Sequence, residues 1–122
     1  MKIDWTSIPT SEGMRKGATR KAISADKLSA VLVETSPDAY FDGKLHWHEN
    51  EQMLVMLRGQ ATLKVDKEII RAEAGDMIFF PPGSKHGLIE CGSEGCTYYE
   101  IFSPPRVDYL PGWIGKTQLK FD

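Results

Sequence analysis

The chain has 122 residues, 41% of them hydrophobic, which suits one compact domain and leaves little room for two domains or for disorder. Its formal net charge of −2 gives no general reason to expect nucleic acid or an anionic membrane as a partner. The longest apolar run, "MLVML", is too short to cross a bilayer and the first residues lack a signal-peptide core, so a cytoplasmic location is expected.

Short alternating runs separated by Gly, Pro, Asp and Asn dominate the chain, and helical periodicity is scarce. In chain order, the predicted strands are "KLSAVLVE" (27–34), "EQMLVMLRG" (51–59), "QATLKVD" (60–66), "EIIRAEAGD", "MIFFPPG", and a hairpin of "KHGLIEC" and "CTYYEIFS" around Gly92–Gly95. Strands this short, with turns about every eight to twelve residues, indicate an all-β barrel or sandwich.

The two ends of the chain differ from this pattern. Residues 1–26, which include the basic stretch "MRKGATRK", are predicted to be a solvated arm or an edge strand, with a dimer contact as the second interpretation. Residues 27–103 carry the predicted barrel. Residues 104–122 are rich in proline, which cannot donate to a sheet ladder, so we expect a C-terminal tail packed on the barrel.

The two cysteines, Cys91 and Cys96, flank the turn "GSEG". Across a hairpin they would be close enough to form a disulfide in an oxidised sample, whereas a reducing cytosol favours two thiols. A zinc pair is a weaker interpretation, because no second Cys/His pair lies nearby. We expect them to be structural.

The stretch "GKLHWHENEQ" places three metal-friendly side chains within seven positions. Because side chains alternate faces along a strand, His46, His48 and Gln52 should point the same way and Glu51 away. Neutral imidazole nitrogens and an amide oxygen are plausible ligands for a divalent ion. A bare His-x-His pair is more often a surface strand pair, so this spacing leaves both interpretations open.

A second stretch, "GDMIFFPPGSKHG", delivers a third histidine just after a proline–glycine turn. It resembles the second motif of the cupin family, G(X)5PXG(X)2H(X)3N. The match runs from Gly75 through Pro81 and Gly83 to His86, and Glu90 replaces the final Asn.

The first cupin motif, G(X)5HXH(X)3-4E(X)6G, is matched upstream of it. It fits through His46, His48 and Gly59, with Gln52 at the place of the usual Glu and Tyr40 at the place of the first glycine. The resemblance implies an all-β cupin barrel, that is, a double-stranded β-helix or jelly roll.

The resemblance also implies one divalent transition metal ion as cofactor. Its ligands would be His46, His48, Gln52 and His86. With Gln in place of Glu the ion would keep a net charge of +2, which should make it a stronger Lewis acid at some cost in affinity. Nickel, zinc, manganese, iron and cobalt all fit such a site.

Beyond these motifs, "YYEIFSPPRVDYL" supplies further candidates. Tyr98, Glu100 and Phe102 share strand parity, so a carboxylate sits between two aromatic rings on one face. Apolar neighbours would raise the pKa of Glu100 and suit it to acid–base work. Arg106 follows two prolines and would form a fork for a substrate carboxylate. A solvent-facing glutamate and a surface ion pair are the alternatives.

The combination of these segments resembles the small single-domain cupins of the pectin-degradation type (KdgF-like), which convert cyclic 4,5-unsaturated uronates into linear keto acids. In that family an acidic residue, a phenylalanine and an arginine serve catalysis and binding, and they correspond to Glu100, Phe102 and Arg106. The family has Asp where this chain has Glu100, which moves the carboxylate.

These features lead us to expect a metal-dependent enzyme acting on a small carboxylate-bearing sugar, by ring opening or tautomerisation. In this interpretation Glu100 and Arg106 are catalytic, and Tyr98, Phe102 and Arg106 bind substrate. We also expect a homodimer and no nucleic-acid or membrane partner. The alternatives are an iron-dependent dioxygenase and a non-catalytic ligand-binding cupin module, since one barrel supports many chemistries.

Overall fold

The computed structural model of the protein describes residues 1–112 and 117–121. Its strands are β1 Ser11–Glu12, β2 Ala18–Ser24, β3 Ser29–Thr35, β4 Glu51–Val65, β5 Glu68–Glu73, β6 Met77–Phe80 and β7 His86–Ser103. The helical segments within those residues are short 3₁₀ turns at Trp5–Ser7 and Val107–Tyr109. The all-β prediction is confirmed. No helix in the described parts of the chain has the length and hydrophobicity to cross a membrane.

The strands form one antiparallel sheet in the order β1-β2-β3-β7-β4-β5. Strand β6 pairs with the first part of β4, on the edge opposite β7, and β5 pairs with the second part. The central pair is β4 with β7, which are hydrogen-bonded from Val65↔His86 at one end to Glu51↔Ser103 at the other. This pair runs the length of the domain and therefore sets the positions of the polar residues described below.

The predicted hairpin around Gly92–Gly95 is wrong, and so is the division of 51–66 into two strands. β7 continues through this point, and residues 92–95 form a bulge between the pairs Gly59↔Cys96 and Ala61↔Cys91. Gly59 and Gly95 have φ of 78° and 74°, so each bends its strand without ending it. A glycine signal in the sequence does not distinguish a bend from a turn.

The core lies between the inner faces of the strands. On β3 the buried residues are Ser29, Val31, Val33 and Thr35, and on β4 every second residue from Ala61 to Val65 is buried. Successive side chains of a strand point to opposite faces, so this pattern shows that one face of each strand packs in the core. Cys96 is fully buried and Cys91 half-buried, and both are free thiols.

Both ends of the chain pack on the barrel within the described residues. At the N-terminal end β1 pairs with β2 and β2 with β3, so this segment forms the edge of the sheet. At the C-terminal end, Lys120 forms a two-way backbone bridge with Trp47, at 3.0 and 2.8 Å. The part of the predicted tail at residues 113–116 and 122 lies outside the described residues.

The outer surface of β6, β4 and β7 carries a row of apolar side chains, here named the outer apolar face. Its members are Met53, Val55, Met77, Phe79, Tyr99 and Ile101. Met53, Met77 and Phe79 are 42%, 62% and 48% exposed. A contiguous apolar patch of this kind is typical of an interaction surface.

The bend at Gly59 generates the first prediction. A side chain there would meet a positive φ and would also collide with the carbonyl oxygen of Gly95. Gly75 is the matched control, because its φ is 95° but nothing lies within 4 Å of an added Cβ. Urea unfolding should show that Gly75→Ala costs about 1 kcal/mol and Gly59→Ala at least about 2 kcal/mol more. Equal losses would contradict the close approach of the two strands.

Candidate functional site

The segment that leads into β4 alternates between buried and exposed residues. His46, His48 and Gln52 are 8%, 2% and 3% exposed, whereas Glu51 is exposed and Trp47 is half-buried. Burial therefore alternates from 46 to 52, through a bend at 49–50, and the two imidazoles and the amide lie on the same inner side.

His86 joins this group from the start of β7. Its backbone forms a two-way bridge with His46, with N···O distances of 3.0 and 2.9 Å. The ring centroid of His86 lies 4.7 Å from that of His46 and 5.0 Å from that of His48. His86 is itself only 3% exposed, so the three rings form one buried cluster.

The hydrogen bonds of His48 leave two lone pairs facing each other. Its Nδ1 lies 2.9 Å from the carbonyl oxygen of Asn50, which can only accept, so Nδ1 carries the proton. The Nε2 of a neutral ring is then an acceptor, and it lies 3.0 Å from Oε1 of Gln52. The amide orientation is set by the Nε2 of Gln52, which donates to the Oε2 of Glu100 at 2.7 Å. Two acceptors at this separation repel unless a cation lies beside them.

The other two histidines are also neutral bases. His86 donates from Nδ1 to the carbonyl oxygen of Ser84 at 3.0 Å, and its Nε2 is buried with no partner in the described parts of the chain. Burial, with the neighbouring histidines, lowers the pKa of His46 to about 2 and of His86 to about 4. Burial also lowers the pKa of His48. Neutral imidazole is the form that binds a metal.

These nitrogen and oxygen atoms are chemically suited to bind a divalent ion, but they are not arranged around a common point. In residues 1–112 and 117–121, no three His, Cys, Asp or Glu side chains stand as a ready metal-holding group. The unpaired nitrogen of His86 and the facing acceptors of His48 and Gln52 nevertheless are the atoms that a cation would satisfy. A separation of 3.0 Å is also what two ligands at right angles have when each bond is about 2.1 Å.

A small cavity adjoins the cluster inside the barrel. It has a volume of about 40 Å³, enough for an ion and a water or two. Its polar lining includes His46, Gln52, His86, Tyr98, Glu100, Arg15 and Arg20. A larger groove of about 500 Å³ lies open along β4, β5 and β7, but no histidine lines it, so the candidate ligands lie at the inner cavity.

Residues 31–102 match the cupin domain family (Cupin_2), which is more than half of the chain. The chain belongs to the cupin family. Among solved structures, this cupin is similar to an RmlC-like cupin from Shewanella frigidimarina NCIMB 400, with a TM-score of 0.73 and 28% identity over 86% of this chain and 91% of that one. It resembles KdgF from Halomonas sp. as closely, with a TM-score of 0.72 and 27% identity over 81% and 89%.

A curated relative of this cupin is the uncharacterized HTH-type transcriptional regulator YdeC of Bacillus subtilis (strain 168). The two are 35% identical over 54 residues, which is 44% of this chain. The match spans only about a fifth of the regulator, 19% of its length. These comparisons show a small cupin that resembles KdgF.

Glu100 of this cupin is partly buried in the cavity wall, beside the histidine cluster. Burial raises the pKa of its carboxyl group, and the charges of Arg106, Arg20 and Arg15 oppose that rise. Its hydrogen bond from Gln52 connects it directly to a candidate ligand.

Arg106 is held by a neighbouring carboxylate. Its Nε and Nη2 donate to the two oxygens of Asp108 at 2.9 and 2.8 Å, and the residue is 1% exposed. This ion pair is buried, whereas the sequence suggested either a fork for a substrate carboxylate or a surface ion pair. The guanidinium lies 5.2 Å from the Phe102 ring and 4.1 Å from the Tyr109 ring, and its Nη1 has no partner among the described residues.

The two aromatic residues predicted beside Glu100 are buried, at 6% exposure for Tyr98 and 1% for Phe102. Phe102 packs edge-on against His48, with ring centroids 5.6 Å apart. Burial raises the pKa of Tyr98 well above its usual range, so its hydroxyl is neutral. The Phe102 ring thus gives His48 an apolar neighbour, and Tyr98 lines the cavity beside the cluster.

Sequence reasoning missed Arg15 and Arg20, because the basic stretch "MRKGATRK" was predicted to be solvated. A signal was present, since Arg20 shares strand parity with Ala18 and Ala22. Small residues on either side of an arginine leave space for its side chain on the inner face. Asn50 was also missed. Its Nδ2 donates to the carbonyl oxygen of Pro104 at 2.6 Å.

The buried pair of Arg106 and Asp108 generates the second prediction. Asp108→Asn should lower the free energy of unfolding by about 3–5 kcal/mol, because it leaves a buried guanidinium without its counter-ion. The matched control is Glu49→Gln, which removes an exposed partner of Lys120 at 3.5 Å and should cost less than about 0.5 kcal/mol. Denaturant unfolding measures both, and similar losses would refute the importance of burial.

Proposed function

We propose that this cupin is a metal-dependent enzyme that opens or tautomerises an unsaturated uronate or a similar small sugar acid. The observation that carries the proposal is the direct hydrogen bond of 2.7 Å between Gln52 and Glu100. It joins a candidate metal ligand to a candidate proton carrier inside one cavity. The likeness to KdgF supports the substrate class.

In this proposal His46, His48, Gln52 and His86 hold one divalent ion. The ion would act as a Lewis acid and polarise a substrate oxygen. The neutral side chain of Gln52 leaves the ion with its full charge, which favours this role. Its amide also fixes the carboxyl of Glu100 next to the substrate oxygen.

The protein's own residues supply the proton transfer. Glu100 takes a proton from the substrate hydroxyl or enol and returns it to the neighbouring carbon or oxygen, and its raised pKa suits both directions. Tyr98 in the cavity wall and Phe102 against His48 would keep water from the site. We propose a supporting role for Arg106, because its fork already holds Asp108 and one nitrogen remains for a ligand.

A sugar acid needs more room than the cavity gives. Small-molecule pockets usually measure about 300–1,000 Å³, against about 40 Å³ here. Phe121 covers the cluster on one side, with its ring 6.0 Å from that of His46, and the turn at 13–15 lines another part of the cavity. We propose that the Phe121 cover moves when substrate binds, because backbone hydrogen bonds hold the turn at 13–15 against β2.

A second candidate function is a ligand-binding module that controls transcription, which the similarity to the HTH-type regulator favours. Such a module would need the cavity and the metal but no proton carrier. The role of Glu100 therefore separates the two candidates.

The homodimer stays a prediction. We propose the outer apolar face as its interface, because two copies would bury the exposed Met53, Met77 and Phe79 side chains against each other in an isologous contact. The N-terminal arm that the sequence suggested is instead paired within the chain's own sheet.

The metal site gives the third prediction. Elemental analysis of protein purified without added metal should find about one divalent transition metal ion per chain. His86→Ala should lower the affinity about tenfold or more, because it removes a ligand that the bridge to His46 holds in place. Glu51→Gln is the control, since it changes an exposed oxygen donor beside Gln52. Protein without metal, or a His86→Ala variant that keeps it, would refute the site.

Turnover gives the fourth prediction. Incubation with a 4,5-unsaturated uronate should remove the ultraviolet absorbance of the conjugated double bond. Glu100→Gln should lower kcat by about 10²–10⁴ while the metal content stays the same, because the amide cannot carry the proton. Glu90→Gln, an exposed glutamate on the same strand, should be unaffected. If the wild type shows no turnover and the Glu100→Gln variant still binds uronate normally, the binding module is favoured.

A further inference from the structure

We propose that Arg15 and Arg20 form a carboxylate-binding subsite in the same cavity as the histidine cluster. The inference rests on the proposed function in so far as that cavity receives the substrate. It goes beyond it by assigning the substrate's carboxylate to two residues of the N-terminal segment, where the sequence suggested Arg106.

The local structure brings both side chains to the inner side of the sheet. Arg20 pairs directly with Val33, which is buried and lines the cavity, so the two side chains share a face. Its neighbours on that face, Ala18 and Ala22, are small and buried. Their size leaves space into which a guanidinium extends.

Arg15 reaches the cavity from the turn between β1 and β2. The turn is closed by two backbone hydrogen bonds, from Gly13 N to Ala18 O at 2.8 Å and from Ala18 N to Arg15 O at 3.1 Å. Gly13 is needed at this turn, because a Cβ there would lie 2.8 Å from that of Ala18. The turn therefore lies tightly against β2 and carries Arg15 to the cavity lining.

Each arginine presents a donor that the protein does not satisfy. The Nη1 of Arg15 and the Nε of Arg20 are buried with no hydrogen-bond acceptor in the described residues. Aromatic rings hold the guanidinium groups, with Cζ of Arg15 4.4 Å from the Phe41 centroid and Cζ of Arg20 3.8 Å from the Tyr109 centroid. A buried N–H without an acceptor is costly, so an incoming acceptor gains what the free protein lacks.

The charges in the cavity lining favour an anion. The guanidinium groups of Arg15 and Arg20 line the cavity together with a single carboxyl group, that of Glu100. The charge of Arg106 is already matched by Asp108. One positive charge therefore remains before any metal ion is counted. A carboxylate can accept from both arginines at once, which a neutral hydroxyl group does less strongly.

Binding of a saturated uronate tests this subsite independently of turnover. Isothermal titration calorimetry would use D-galacturonate, with D-galactose as the uncharged counterpart, on the protein as purified and after chelation. Arg15→Gln and Arg20→Gln should each raise the Kd for galacturonate about tenfold or more, and Arg20→Lys should restore part of the loss. The Kd for galactose should not change.

Lys16→Gln is the matched control, because it removes the same charge from an exposed neighbour and should leave both Kd values within about twofold. Thermal unfolding verifies that each variant is folded. If Arg20→Gln does not fold, the Kd values of Arg15→Gln and Arg20→Lys still test the subsite. The proposal is overturned if wild-type protein binds galacturonate no more tightly than galactose, or if the arginine variants bind it normally. A loss of binding in these variants, in a protein that shows no turnover, would support the subsite and refute the reaction.

Discussion

The antiparallel pairing of β4 with β7 is the constraint on which the candidate site depends. Gln52 pairs with Phe102, and Glu100 is its diagonal neighbour across the strands, which is why the amide and the carboxyl meet at 2.7 Å. The same pairing begins at Val65↔His86, and the backbone of His86 then bridges to His46. Two strands thus position a carboxyl at one place and an imidazole at another around one cavity.

The polar groups of that cavity are unsatisfied in two complementary ways. The histidine cluster presents bare acceptors, at Nε2 of His86 and between His48 and Gln52. The N-terminal segment presents bare donors, at Arg15 and Arg20. Unpaired acceptors attract a cation and unpaired donors attract an anion. The protein alone satisfies neither set of polar groups. A metal ion together with an acidic substrate would satisfy both sets, which is the physical basis of the proposed function.

The sequence predicted most of the fold and part of the site. Alternation along 27–34 predicted β3, and alternation along 60–66 predicted what is the second half of β4. The cupin motifs predicted the family to which the chain belongs. The hairpin at Gly92–Gly95 failed, because a glycine with positive φ serves a bulge as well as a turn. The sequence suggested that the Arg106 guanidinium is free for a substrate carboxylate or forms a surface ion pair. In the structure it forms two hydrogen bonds to Asp108, two residues further on. A pairing between residues two positions apart can be proposed from the sequence, but its burial cannot be predicted there.

Strand parity is a local property, so the sequence by itself determined that the side chains of 46, 48 and 52 share a face and that 98, 100 and 102 share another. Which of these faces meet is decided by the register between β4 and β7, which depends on bulges at Gly59 and Gly95 and on the burial of the whole core. The parity of Arg20 with Ala18 and Ala22 is local too. Only the tertiary structure decided that this face turns inward and that Arg15 joins it, because that requires Ala18 and Ala22 to be packed against a barrel formed by later residues.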